Sequence, residues 1–131
     1  MVVLKDKASS AIVAVADMAR SRRFYADILG LGIAEEENET VLVFRTGDTH
    51  LVVYRSEEAG TNRANAVVWD VGTEFDFIVG DLQSKGVVFE HYPDMDGVEL
   101  DGDIHRAGAL KLAWFKDPDG NILHINAMPS A

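Results

Sequence analysis

The side chains of this 131-residue sequence most able to bind a metal or move a proton are four histidines and a scatter of carboxylates. His124 lies in an apolar run, Ile122-Leu-His-Ile-Asn126, where strand alternation puts Ile122 and Asn126 on its own face and Leu123 and Ile125 on the other. An imidazole there can orient a ligand, move a proton, or sit in the core as a hydrogen-bonded group without chemistry. His50, His91 and His105 fall at expected strand ends or in loops, which reads as surface. His105 is the best placed of the three for a relocated metal site or an acid-base pair, because the long acidic segment from Tyr92 to Gly108 has the length of a lid. Asp70 shares strand parity with Ala66 and offers a general base or a partner for a cationic ligand.

Other patterns fail on spacing. Asp94, Asp96, Glu99, Asp101 and Asp103 lack the Asp-x-Asp-x-Asp-Gly order and later Glu of a calcium loop, so they read as a solvated acidic run. Gly30-Leu-Gly32 follows a helix rather than a strand, the wrong context for a dinucleotide site. No Ser-His-Asp order or phosphate-binding glycine loop is present.

Composition narrows the partners. With 22 acidic and 12 basic residues the formal charge is -10, which repels nucleic acid and anionic membrane surfaces. The absence of cysteine removes disulfides, thiolate nucleophiles and Cys-ligated metal centres. No run approaches the roughly 18 apolar residues of a membrane span, and MVVLKDKASS lacks a long apolar core, so a cytoplasmic protein is expected.

The elements that must position these groups can be read from periodicity. SSAIVAVA, residues 9–16, is a strand ended by Asp17 at a helix N-cap, and a helix follows to Leu29, stopped by Gly30 and Gly32. Residues 33–39 form an acidic edge strand, and 40–45 and 50–54 a hairpin. A polar linker spans 56–65. In the second half, 66–71 is a strand, Thr73 and Asp76 resemble a capping box, and Phe75, Ile78, Val79 and Leu82 form the buried stripe of a helix ended by Lys85-Gly86. A strand at 87–90, the loop 92–108 and a last hairpin around Asp117-Pro-Asp-Gly120 complete it.

VLVFRTGDTHLVVY in the first half repeats as LAWFKDPDGNILHI in the second. The repeat implies an α+β fold of two βαβββ modules within a single domain, residues 1–60 and 65–131, with curved mixed sheets around a cleft and helices packed outside.

Residues 9–33, with Val15, Asp17, Ser21, Phe24, Tyr25, Leu29 and Gly30, resemble the opening of the vicinal-oxygen-chelate superfamily, which includes glyoxalase I, bleomycin-resistance proteins and extradiol dioxygenases. Phe115-Lys-Asp-Pro-Asp-Gly-Asn121 resembles its closing hairpin. In catalytic members of the family a His or Gln on the first strand of each module and a Glu on the last bind a metal. Carried onto this chain, those positions fall on Ser10, Leu51 or Val53, Ala66 and His124, of which His124 alone is a ready ligand. The resemblance also places His124 on the cavity face and makes Trp114 a cavity-lining aromatic.

The sequence therefore points to a protein of the glyoxalase and bleomycin-resistance type that binds a small organic molecule without a cofactor, using Ser10, Asp70, His105, Trp114 and His124. The family resemblance implies a homodimer. Two alternatives stand beside it. One is a glyoxalase-like lyase or isomerase with His124 as acid-base group, or with a divalent metal recruited by His105 and the 92–108 loop. The other is a non-enzymatic dimeric accessory protein.

Overall fold

Alternating apolar residues build two mixed sheets in a computed structural model that describes residues 4–127, apart from the side chains of residues 35–38. The chain divides into two compact units between Thr61 and Asn62.

In the first unit the elements are β1 (Ala11–Val15), α1 (Met18–Arg22), β2 (Gly32–Asn38), β3 (Val41–Thr46) and β4 (Thr49–Arg55). The sheet order is β1-β4-β3-β2, with β1 parallel to β4 and the other pairs antiparallel. Asp17 caps α1 as its type suggests, accepting the Arg20 backbone N–H at 3.0 Å. That bond, ahead of its other influences, holds the exposed Asp17 carboxyl below its ordinary pKa. The helix then widens into a π-helical stretch, Arg23–Ile28, whose end is marked by the Leu29 N–H bonding the Phe24 carbonyl five residues back. Along this stretch two neighbours, Phe24 and Tyr25, are both buried, and Tyr25 packs 5.9 Å from Phe44. Val13, Val15, Leu42, Phe44, Leu51 and Val53 complete this core.

The second unit holds β5 (Asn65–Asp70), α2 (Phe75–Ser84), β6 (Phe89–Glu90), β7 (Glu99–Asp101), β8 (Ile104–Ala107), β9 (Leu110–Lys116) and β10 (Ile122–Ala127). Its sheet runs β5-β10-β9-β8-β7, with β5 parallel to β10 and the other pairs antiparallel. The outer edge of β9 is shared, since β8 pairs with Leu110–Leu112 and β6 with Trp114 and Phe115. Phe75, Val79 and Leu82 of α2 are buried, as are Val67, Phe89, Ala113, Phe115, Leu123 and Ile125 of the strands.

Three local expectations change. The segment 92–108 is not a structureless loop, because Glu99–Asp101 and Ile104–Ala107 pair as a hairpin around Gly102-Asp103. Its polar residues hid β8, which pairs with β9, and β7, which pairs in turn with β8. Thr73 does not cap α2; a short 3-10 turn, Gly72–Glu74, leads into it, and Asp76 reaches across to Lys111 at 3.0 Å instead. The strand expected over 87–90 is only Phe89–Glu90.

The closing turn has a clear physical basis. Gly120 has φ +87°, the left-handed region that glycine enters without steric cost. Asp117 is buried, and its Oδ1 accepts the backbone N–H groups of Asp119 at 2.9 Å and Asn121 at 2.8 Å, while its Oδ2 accepts the Asn121 side-chain amide at 2.8 Å. Replacing Asp117 with alanine leaves those donors unpaired and is expected to cost about 1–3 kcal/mol. Denaturant unfolding of Asp117→Ala against the unaltered protein measures it, and an unchanged midpoint contradicts this role.

Candidate functional site

The β9 and β10 register puts His124 directly opposite Trp114 and Asn126 opposite Leu112. His105 of β8 lies opposite Leu112, so it shares this face, which is the one turned away from the α2 core. The rings form a stack. Trp114 and His124 lie 4.5 Å apart at 20°, His105 meets Trp114 edge-on at 4.9 Å, and Tyr92 closes on Trp114 at 5.3 Å. His105, Trp114 and His124 are all buried.

The expectation that His105 sits on a surface loop is therefore overturned: it is fully enclosed in a strand, because the β7–β8 hairpin folds onto β9 and carries it inward. Asp103, in the turn of that hairpin, is tied to Gln83 of α2 and to His91, each at 2.7 Å. The His91 contact, then the Gln83 contact, lower the Asp103 pKa. His91 itself is exposed just beyond β6, and His50 is half-buried in β4 opposite Arg45.

Donor geometry fixes the protons on both buried histidines. The Ala113 carbonyl can only accept, so His124 Nδ1, 3.0 Å away, must donate. Nε2 of the neutral ring then carries a lone pair, and the Asn126 amide donates to it at 3.3 Å. At His105 the Tyr92 backbone N–H, 2.9 Å from Nε2, can only donate, so that ring also carries its proton on Nδ1. Burial is the main cause that lowers both imidazole pKa values. For His124 the Ala113 bond opposes and the nearby His105 adds to the shift; for His105 the His91 charge adds and the Leu112 backbone opposes. Burial, then the Glu90 charge, raises the Tyr92 phenol above its ordinary value, so it stays protonated.

Of the residues singled out in the sequence, the fold thus gathers His105, Trp114 and His124. Asp70 stands beside Asn126 in the parallel β5–β10 ladder, exposed, with Oδ1 accepting the Gly72 N–H at 3.1 Å. Ser10 lies in the other unit, exposed ahead of β1. Sequence reading passed over Asn126, Val68 and Tyr92 as contributors. Asn126 was findable, since a residue two beyond His124 on a strand must share its face. Nothing local announces Tyr92, whose position depends on a chain reversal after β6. Two surface hollows lie elsewhere in this unit, one of about 200 Å³ at Thr73, Asp76 and Lys111 and one of about 570 Å³ at Val98, Glu99 and Arg106. Neither is lined by the stacked rings.

The residues at the positions of the family's metal ligands do not form a donor set. Phe44 opposite Leu51 corresponds to Phe115 opposite Leu123, which makes Val52, rather than Leu51 or Val53, the counterpart of His124. Leu51 and Val53 point into the core instead. The set becomes Ser10, Val52, Ala66 and His124, and a divalent ion needs about four to six ligands. Among the described residues no group of three or more His, Asp or Glu side chains could hold a metal elsewhere. No helix of the described residues is long and apolar enough to cross a membrane.

Comparison with known proteins accords with this architecture. A profile of the Glyoxalase/Bleomycin resistance protein/Dioxygenase superfamily matches residues 7–125. The Bacillus subtilis (strain 168) protein YraH is 29% identical over 126 residues, covering 87% of this chain and 92% of its own. The oxidase ChaP-H2 superposes with a TM-score of 0.71 at 25% identity over 98% of both chains. Lactoylglutathione lyase from Agrobacterium tumefaciens does so at 0.69 with 15% identity over 93% of both, a likeness of fold alone.

Two buried neutral histidines give a pH signature. The unfolded chain takes up protons near the ordinary imidazole value of 6.5, whereas folded His105 and His124 resist protonation to lower pH. Their contribution is complete above about pH 6.5 and is lost as the pH falls through their lowered folded values. The denaturation midpoint is expected to drop across that window, and His124→Gln, which keeps a donor for the Ala113 carbonyl but cannot titrate, should flatten the slope. A midpoint independent of pH from 7.5 to about 5 would contradict it.

Proposed function

The chain belongs to the Glyoxalase/Bleomycin resistance protein/Dioxygenase superfamily, and from that premise we propose that it binds a small organic molecule on the His124 face without the family's usual metal. One observation carries the reading. Val52 stands where the first module would need a metal ligand, and the matching place in the second holds an imidazole whose two nitrogens are already engaged by Ala113 and Asn126. A lone histidine with apolar companions binds divalent ions weakly, while a stacked indole and imidazole beside the exposed Val68 suits an organic surface.

A second reading, His124 as an acid-base group, is favoured by the anchored Nδ1–H. That anchor orients the ring as a catalytic base requires and leaves basicity at Nε2. In that case Asn126 must yield Nε2 to the substrate.

Native mass spectrometry and elemental analysis of the protein from its own host test the first reading. Substoichiometric divalent metal, and no gain of binding or activity on adding nickel, zinc or iron, are expected; one tightly held equivalent of any of them overturns it. His124→Ala separates the two readings. Under the binding reading it weakens ligand affinity severalfold with no turnover to lose. A collapse of turnover by about 10²-fold or more, with affinity little changed, establishes the acid-base role.

A further inference from the structure

At its Asp70 end the polar rim of the His124 face is made of acceptors, and the unpartnered His105 Nδ1–H lies across the sheet on β8. Because His124 Nδ1 donates to Ala113, Nε2 has no proton, and Asn126 must turn its amide nitrogen toward it. That orientation leaves Asn126 Oδ1 facing away, enclosed and without a partner. Asp70 is the ladder neighbour of Asn126, about 4.8 Å away across adjacent strands, and adds a carboxylate whose Oδ1 takes only the Gly72 N–H. Between these groups and His124, Val68 lies 58% exposed in a strand, an apolar side chain left for something to cover.

Among the described residues no cation is paired with Asp70 or Asn126. Register places Lys116 on the same face, but at the far end of β9 and 3.2 Å from Glu90. Lys111 and Arg106 face the other way and are paired with Asp76 and Asp101. The formal charge of the whole chain, -10, attracts positive ligands at a distance.

We infer that the molecule taken by this face is an organic cation, an ammonium or amidinium on a flat apolar body, with its N–H groups donated to Asp70 and Asn126 Oδ1 and its body on Val68 beside the His124 ring. The inference rests on the binding reading above and adds the sign of the ligand's charge. An anionic ligand would set its oxygens against two acceptors and gain no hydrogen bond from either. A neutral alcohol could donate once to the carboxylate, without the ion-pair attraction that a cation adds.

Three probes of one shape, 2-naphthylmethylammonium, 2-naphthylmethanol and 2-naphthoate, separate these cases when titrated into the full chain by calorimetry. Side-chain amide and indole NMR signals of Asn126 and Trp114 locate the binding. The ammonium should bind at least about tenfold more tightly than the other two. Asp70→Asn, an exposed substitution that keeps an oxygen for the Gly72 N–H, should bring its affinity down toward that of the alcohol. Equal or tighter binding of the alcohol or the naphthoate overturns the cation inference while leaving a small-molecule face in place. If none of the three moves the Asn126 and Trp114 signals, the binding reading falls and this inference with it.

Discussion

The register of the last hairpin rests on one buried carboxylate. Asp117 holds the turn by three donors, and the turn sets which residue of β10 meets which of β9. A strand has a period of two, so a slip of one residue would turn His124 into the α2 core and bring Leu123 and Ile125 out. Everything at the candidate site follows from that alignment: the Trp114 stack, the Ala113 carbonyl opposite the ring nitrogen, and Asn126 on the same face. The β7–β8 hairpin then adds His105 through pairing with the first half of β9, while β6 claims the second half.

The repeat between the modules is one of architecture and not of chemistry. In both, a strand running parallel to the last strand leaves an apolar residue exposed on the face away from the core, Ile12 in one and Val68 in the other. In both, a phenylalanine of the preceding strand faces a leucine across the hairpin. The positions next to those leucines differ, valine in the first unit and histidine in the second. The shared frame therefore fixes where a functional side chain would stand, and the side chain decides what can be done there.

Burial gives the site its electrical character. Two imidazoles placed among aromatic rings are held neutral, and a phenol beside them stays protonated, so the ring stack carries no charge of its own. Charge lies at its margins, on Asp70 at one end and on the Glu90–Lys116 pair at the other. This division sets a neutral aromatic floor between charged margins.

Much of the fold was legible in the sequence because its signals are local. Asp17 caps a helix, Gly120 permits a turn, and alternation around Trp114 and His124 marks strands with one face set apart. These are consequences of short-range sterics and hydrogen bonding. Alternation also paired His124 with Asn126 before any tertiary contact was known. It could not assign Val52 as the first-module counterpart, since the length difference between the two turns left the register open to the neighbouring Leu51 or Val53. Nor could it bury His105, whose surroundings in the chain are acidic and polar. What encloses that ring is pairing with β9, the tether from Asp103 to Gln83 and His91, and the return of Tyr92. By itself the sequence determined most of the elements, though not β7 and β8, and which neighbours share a face with His124. Tertiary structure alone decided the company it keeps and the proton it carries, because strand partners, burial and hydrogen-bond donors come from residues far away along the chain.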